Sequence, residues 1–184
     1  MIIQRLLMEA GADGIGDGLV TVEPRGFEVA ADWATLKSPE NYLGYERTES
    51  FASPGGAVHD KRSMYELPAR LLLNAWALSG DWTTKRDAVE LNKPNGRIAY
   101  RFHARDVYLV MGPAAPRTSV KFRVLIDGQP PGAARGIDVD EQGAGTVTEQ
   151  RLHQLIRQTG PIADHQFEIE FLSPGVEAFC FTFG

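Results

Sequence analysis

Residue types with useful chemistry are scattered along this 184-residue chain, and their spacing limits what they can do. The tightest group is Asp138 to Glu149, DVDEQGAGTVTE. Asp138, Asp140 and Gln142 occupy the first, third and fifth positions of a calcium loop, with Gly143 at the bend and Glu149 at the closing bidentate position. The flanks alternate like strands rather than paired helices. The same stretch therefore reads first as a plain hairpin with Glu141 to Gly145 at its tip; calcium is the competing reading, and no other cofactor is expected.

A second group is aromatic. Trp76, Trp82, Tyr65 and Tyr100 are the flat apolar rings that stack on the C–H face of a pyranose, and Asn74, Arg101, His103 and Arg123 are the polar groups that bind its hydroxyls. Trp76, Trp82, Asn74 and Arg101 form the expected sugar-contacting set, with Trp82, just past Gly80-Asp81, expected at the surface. Strand alternation places Arg101 and His103 on one face and Tyr100 and Phe102 on the other, so these rings and cations cannot all share a surface. Core packing is the competing role for every one of the aromatics.

Glu168 and Glu170 stand on one side of a strand about 7 Å apart, a separation a glycosidase uses. With Arg101, His103 and Arg123 they also compose a cross-strand charge ladder on a solvated face, which is the reading adopted here. The four histidines show no HxH or HExxH spacing, and no GxSxG elbow is present. A single cysteine, Cys180, excludes an internal disulfide and a CxxC redox pair. No catalytic residue is assigned, and the chain is not expected to be an enzyme. A net charge of −5 gives no footprint for nucleic acid, and no apolar run is long enough to span a bilayer.

The elements that would position these residues are mostly strands. Gly96 to Pro113 reads as two antiparallel strands joined at Ala104-Arg105-Asp106, and Val120 to Ile126, Phe167 to Phe171 and Val176 to Phe183 repeat the alternation. Leu71 to Leu78 reads as a buried strand, Leu19 to Val29 as a short strand pair, and Gly136 to Asp140 and Thr146 to Arg157 as shorter strands, although Leu152, Leu155 and Ile156 also fit a helical turn. About eight strands at such turn spacings predict an all-β fold, an antiparallel jelly-roll β-sandwich. Ile3, Leu6, Leu7 and Ala10 share one face of a short N-terminal helix that Gly11 ends, a face suited to a missing domain or to a second copy in a homodimer. The expected division is 1–37, helix and linker, and 38–184, sandwich.

The runs NYLGYER (Asn41 to Arg47), FASPGG (Phe51 to Gly56), LNAWALSGDW (Leu73 to Trp82), GRIAYRFHARDVYLVMGP and FEIEFLSPGVEAFCFTFG resemble the C-terminal region of DipZ-type cytochrome c biogenesis proteins. That resemblance implies a carbohydrate-binding-module-like domain that follows a thioredoxin-like domain in a membrane-anchored, extracytoplasmic thiol–disulfide oxidoreductase. It implies that the first ten residues are the last helix of the thioredoxin-like domain, and that the redox CxxC lies upstream. Two functions from different classes follow: a non-catalytic module that binds wall or surface glycan, or an interaction domain that docks on the thioredoxin-like partner and binds no sugar.

Overall fold

The computed structural model describes residues 9–11, 24 and 26–184. The helix face of Ile3, Leu6 and Leu7, and most of the strand pair expected over Leu19 to Val29, lie outside the described residues. Within that second stretch Gly26–Glu28 form a single 3-10 turn instead of a strand. Gly26 has φ +56°, which ends an extended chain.

Eleven strands are described: β1 (Asn41–Tyr42), β2 (Arg62–Tyr65), β3 (Trp76–Thr84), β4 (Val89–Leu91), β5 (Gly96–His103), β6 (Asp106–Pro113), β7 (Val120–Ile126), β8 (Ala144–Val147), β9 (Arg151–Arg157), β10 (Asp164–Phe171) and β11 (Val176–Phe183). All pairings between them are antiparallel, in the order β8-β7-β10-β5-β3-β4-β11-β6-β9, with β1 added to β11 and β2 to β3. Strand β3 belongs to both layers of the sandwich. Trp76 to Ser79 pair with β5, whereas Trp82 to Thr84 pair with β4. The switch falls at Gly80, φ +98°, where a Cβ would approach the Gly96 backbone to 2.9 Å, so the bend requires glycine.

The jelly-roll-type sandwich is thus as expected, but its pairing differs from the local pattern. The two strands of Gly96 to Pro113 do not form a hairpin. β5 pairs with β3 and β10, β6 pairs with β9 and β11, and Ala104-Arg105 carries the chain from one layer to the other. Ile98, Tyr100 and Phe102 then face Val107, Leu109 and Met111 across the core rather than lying beside them. Leu71 to Leu73 are not strand either: β3 begins at Trp76, because Asn74 at φ +66° turns the chain and leaves Leu72 exposed. Gly136 to Asp140 forms no strand, and Thr146 to Arg157 resolves into the end of β8 and all of β9.

Candidate functional site

Trp76 and Trp82 are both completely buried, which overturns the expected exposure of Trp82. Inward positions on β3 recur every second residue, and Trp76, Leu78 and Trp82 share that parity. The paired glycines Gly80 and Gly96 leave the space that the Trp82 indole fills, since a Cβ on Gly96 would stand 3.0 Å from its Nε1. That Nε1 donates to the Ser79 carbonyl at 2.8 Å, and the ring meets Phe171 edge-on. Trp76 donates to Thr48 Oγ1 and the Glu49 carbonyl and packs against Phe51. Neither indole offers a face to a ligand.

Asn74 and Arg101 do come together, at one end of the sheet that contains β5. The Asn74 N–H donates to the Arg101 carbonyl at 2.7 Å, its side-chain Oδ1 accepts from Ser38 Oγ at 2.7 Å, and its Nδ2 donates to the Lys37 carbonyl at 3.2 Å. Asn74 therefore uses its amide to tie residues 37–38 to the sandwich. The Arg101 guanidinium stands 3.8 Å from Asp164, whose carboxylate also meets His103 Nδ1 at 2.6 Å. The His103 contact, with help from Arg101, holds the Asp164 carboxyl below the usual carboxylate range.

Part of the expected charge ladder is present on the outer face of the same sheet, with Arg97 standing where Arg101 and His103 were expected. Arg97 reaches Glu168 at 3.7 Å and Glu170 at 3.2 Å, and Arg123 reaches Glu170 at 2.7 Å. Desolvation works to raise the Glu170 pKa, but the two guanidiniums win and lower it. With its carboxyl held low by two guanidiniums, Glu170 is poorly suited to give a proton as a catalytic acid.

The calcium loop does not assemble. Asp138 binds Arg151 at 2.6 Å through one oxygen and accepts the Gln154 N–H at 2.7 Å through the other. Asp140 caps its own turn by accepting from the N–H groups of Gln142 and Ala144, and Glu149 lies 3.6 Å from Arg151. A guanidinium therefore stands between the two carboxylates that an ion would need to share, and strand β8 runs through the second half of the stretch. Among the described residues no group of three or more His, Cys, Asp or Glu is placed to hold a metal ion.

Two surfaces escaped the sequence. The first is around the segment tied at Asn74: Trp33 is 78% exposed, and Leu72 and Leu73, which precede Asn74 in the chain, are 73% and 38% exposed. Trp33 sits on the turn that the Leu36 N–H closes onto the Asp32 carbonyl, immediately before Lys37. The second lies on the other layer, where β11 bulges between Ala178 and Cys180. The bulge turns Phe179 into a cleft of about 200 Å³ walled by Tyr42, Gly44, Arg47, Arg86 and Asp87. An adjoining cleft of about 510 Å³ is lined by Pro39, Glu40, Asn41, Tyr42, Arg47 and Glu49. The Arg47 guanidinium stacks 3.5 Å above the Tyr42 ring and makes no ion pair among the described residues. Asn41 Oδ1 is buried at this wall without a hydrogen-bond partner among the described residues. Beneath it, burial, helped by Glu40 3.5 Å away, pushes the Cys180 thiol up to about 12, which leaves it unreactive.

Residues 38–184 match the family described as thioredoxin like C-terminal domain. The chain belongs to that family. It is 26% identical over 147 residues to Protein DipZ of Mycobacterium bovis and of Mycobacterium tuberculosis, which supports a DipZ-type C-terminal region. The match takes in 80% of this chain but only 18% of those relatives, so the chain spans about a fifth of their length. Among solved structures, a family two carbohydrate esterase from Cellvibrio japonicus is similar over 51% of this chain and 25% of its own, at 13% identity and a TM-score of 0.38. Another from Clostridium thermocellum, in complex with cellohexaose, is similar over 53% and 27%, at 10% identity and a TM-score of 0.41. No helix among the described residues is long and apolar enough to cross a membrane.

Proposed function

We propose that this chain is a non-catalytic accessory domain of a membrane-anchored, extracytoplasmic thiol–disulfide protein of the DipZ type, and that its task is to dock on the thioredoxin-like domain of that parent. The observation that carries this reading is the contrast among the three tryptophans. Trp76 and Trp82 are wholly interior, while Trp33 stands 78% exposed on the segment that hydrogen bonds at Lys37 tie to His103 and Asn74. An exposed indole held on a tied segment, four residues before Lys37, has the composition of an interaction site. The single buried thiol is consistent with redox chemistry supplied by the partner domain. The test is calorimetric unfolding of the linked parent. Docking predicts one coupled transition that separates into two in Trp33→Ala, whereas two independent transitions in the unaltered parent would sink the reading.

A second reading is favoured by the Phe179 cleft. Two aromatic rings, an unpaired guanidinium and the polar groups of Glu40, Asn41 and Glu49 supply the C–H-stacking face and hydroxyl partners that glycan binding needs, at a place lined by neither Trp76 nor Trp82. Calorimetric titration with soluble wall glycans tests it. Saturable binding lost in Phe179→Ala would support the cleft, and no heat with any glycan would remove it.

A further inference from the structure

Residues 26–37 cross one end of the sandwich as a strap, and polar contacts hold it. Asp106, the first residue of β6, has a fully buried carboxylate. Arg105 donates to its Oδ2 from Nε at 2.9 Å and from a terminal nitrogen at 2.6 Å. Arg157, the last residue of β9, donates from Nε to Oδ1 at 2.6 Å and from its own terminal nitrogen to Oδ2 at 3.1 Å. The same terminal nitrogens then reach outward. That of Arg157 donates to the Gly26 carbonyl at 2.8 Å, and that of Arg105 to the Ala30 carbonyl, also at 2.8 Å.

Two guanidiniums on one buried carboxylate leave an excess of positive charge that the carbonyl dipoles of the strap offset. Planar five-donor groups suit this bridging, because one edge can grip Asp106 while the rest points at backbone oxygen. The far end of the strap is tied separately, by the Lys37 N–H donating to the His103 carbonyl at 3.0 Å and by Leu36 packing on the main core. Trp33 lies between these two attachments, so its exposure belongs to a segment fixed on both sides.

We propose that Asp106, Arg105 and Arg157 form a latch that fixes the strap to the sandwich, and so sets both the direction from which the preceding polypeptide arrives and the face that Trp33 presents to it. The purpose of the latch rests on the docking reading, but its existence does not, and the two are tested apart. Spin labels on Ala30→Cys and Ala115→Cys, in the 184-residue chain with Cys180→Ala, report the distance between the latched part of the strap and the sandwich. Asp106→Asn risks misfolding, because it leaves buried guanidiniums uncompensated. The double variant Arg105→Ala/Arg157→Ala, made in an Asp106→Asn background so that neither the carboxylate nor a guanidinium is left buried alone, therefore carries the test, with circular dichroism to verify that the sandwich persists. The latch predicts one narrow distance distribution that broadens at least twofold in the double variant. A distribution already broad in the unaltered chain, or still narrow in the folded double variant, would overturn it. A narrow strap combined with independent unfolding in the linked parent would leave the latch standing and remove the docking reading.

Discussion

Trp82 and Trp33 are the same residue type put to opposite uses. Trp82 fills a slot cut by two glycines, donates its N–H to the Ser79 carbonyl of its own strand and meets Phe171 edge-on. Trp33 rides on a strap that polar ties hold in place, and most of its indole faces water. The first holds the layers together, whereas the second contributes little to the fold and is free to contact something else. What separates them is whether the surrounding backbone closes over the ring, and aromatic content alone does not reveal that.

The largest expected effect sharpens that contrast. Trp82→Ala removes a fully buried ring from the layer junction and is expected to cost about 3–5 kcal/mol of stability in urea unfolding. Trp33→Ala is expected to stay within about 0.5 kcal/mol of the unaltered chain, as for a surface substitution. Iodide should quench Trp33 alone of the three indoles. A Trp33→Ala variant that lost as much stability as Trp82→Ala would show that the strap indole is part of the core and would end the comparison.

Much of the fold was legible because alternation is a local signal. Phe167, Ile169 and Phe171 are all fully buried, as their period-two spacing demands. Partner choice is not local. Ile98 to Met111 has the alternation of a hairpin, yet the chain crosses between layers at Ala104-Arg105, and nothing in the spacing distinguishes the two outcomes. The sugar-contacting set failed for a related reason. Period-two counting from Trp76 already puts Trp82 on the inner face, but the nearby Gly80-Asp81 pair was read as a surface turn instead of a bend inside one strand. The charge ladder was legible only in part: Arg123 does meet Glu170, but Arg97, which the spacing did not single out, stands opposite Glu170 on the other side, and Arg101 and His103 turn to Asp164. Trp33 was not legible, since Asp32 to Lys37 shows no periodicity and its exposure follows from long-range hydrogen bonds to His103 and Arg105.

A second prediction concerns a buried polar group of the core rather than its rings. His153 is 1% exposed, its Nε2 has no partner among the described residues, and desolvation, assisted by Arg151, holds its pKa below the ordinary histidine value. The unfolded chain therefore takes up a proton near pH 6.5 that the folded chain refuses. Stability is full above that pH and is lost as the pH falls toward the lower folded value, with a slope of at most about 1.4 kcal/mol per pH unit. Urea midpoints at pH 7.5 and 5.5 are expected to differ in the unaltered chain and to differ less in His153→Leu. Equal pH dependence in the two would remove His153 as the cause.

The smallest effect belongs to the outer face, and it distinguishes a ladder from a latch. Arg123 is half exposed, so its 2.7 Å contact with Glu170 is screened by water and salt. Arg123→Ala is expected to cost only about 0.2–1 kcal/mol, and less in molar salt. Because Arg123 helps lower the Glu170 pKa, the substitution should return that carboxyl toward its ordinary range. A carboxylate with a depressed folded pKa contributes stability above its unfolded pKa and loses it as the pH falls, so in the variant that contribution should diminish and its loss should begin at higher pH. The Asp106 pair works differently, because its carboxylate is fully buried and both guanidiniums also hold backbone. Its loss should be far less sensitive to salt. If Arg123→Ala and Arg157→Ala showed the same salt dependence, the separation between a solvated ladder and a buried latch would collapse, and the strap would be held by little more than surface charge.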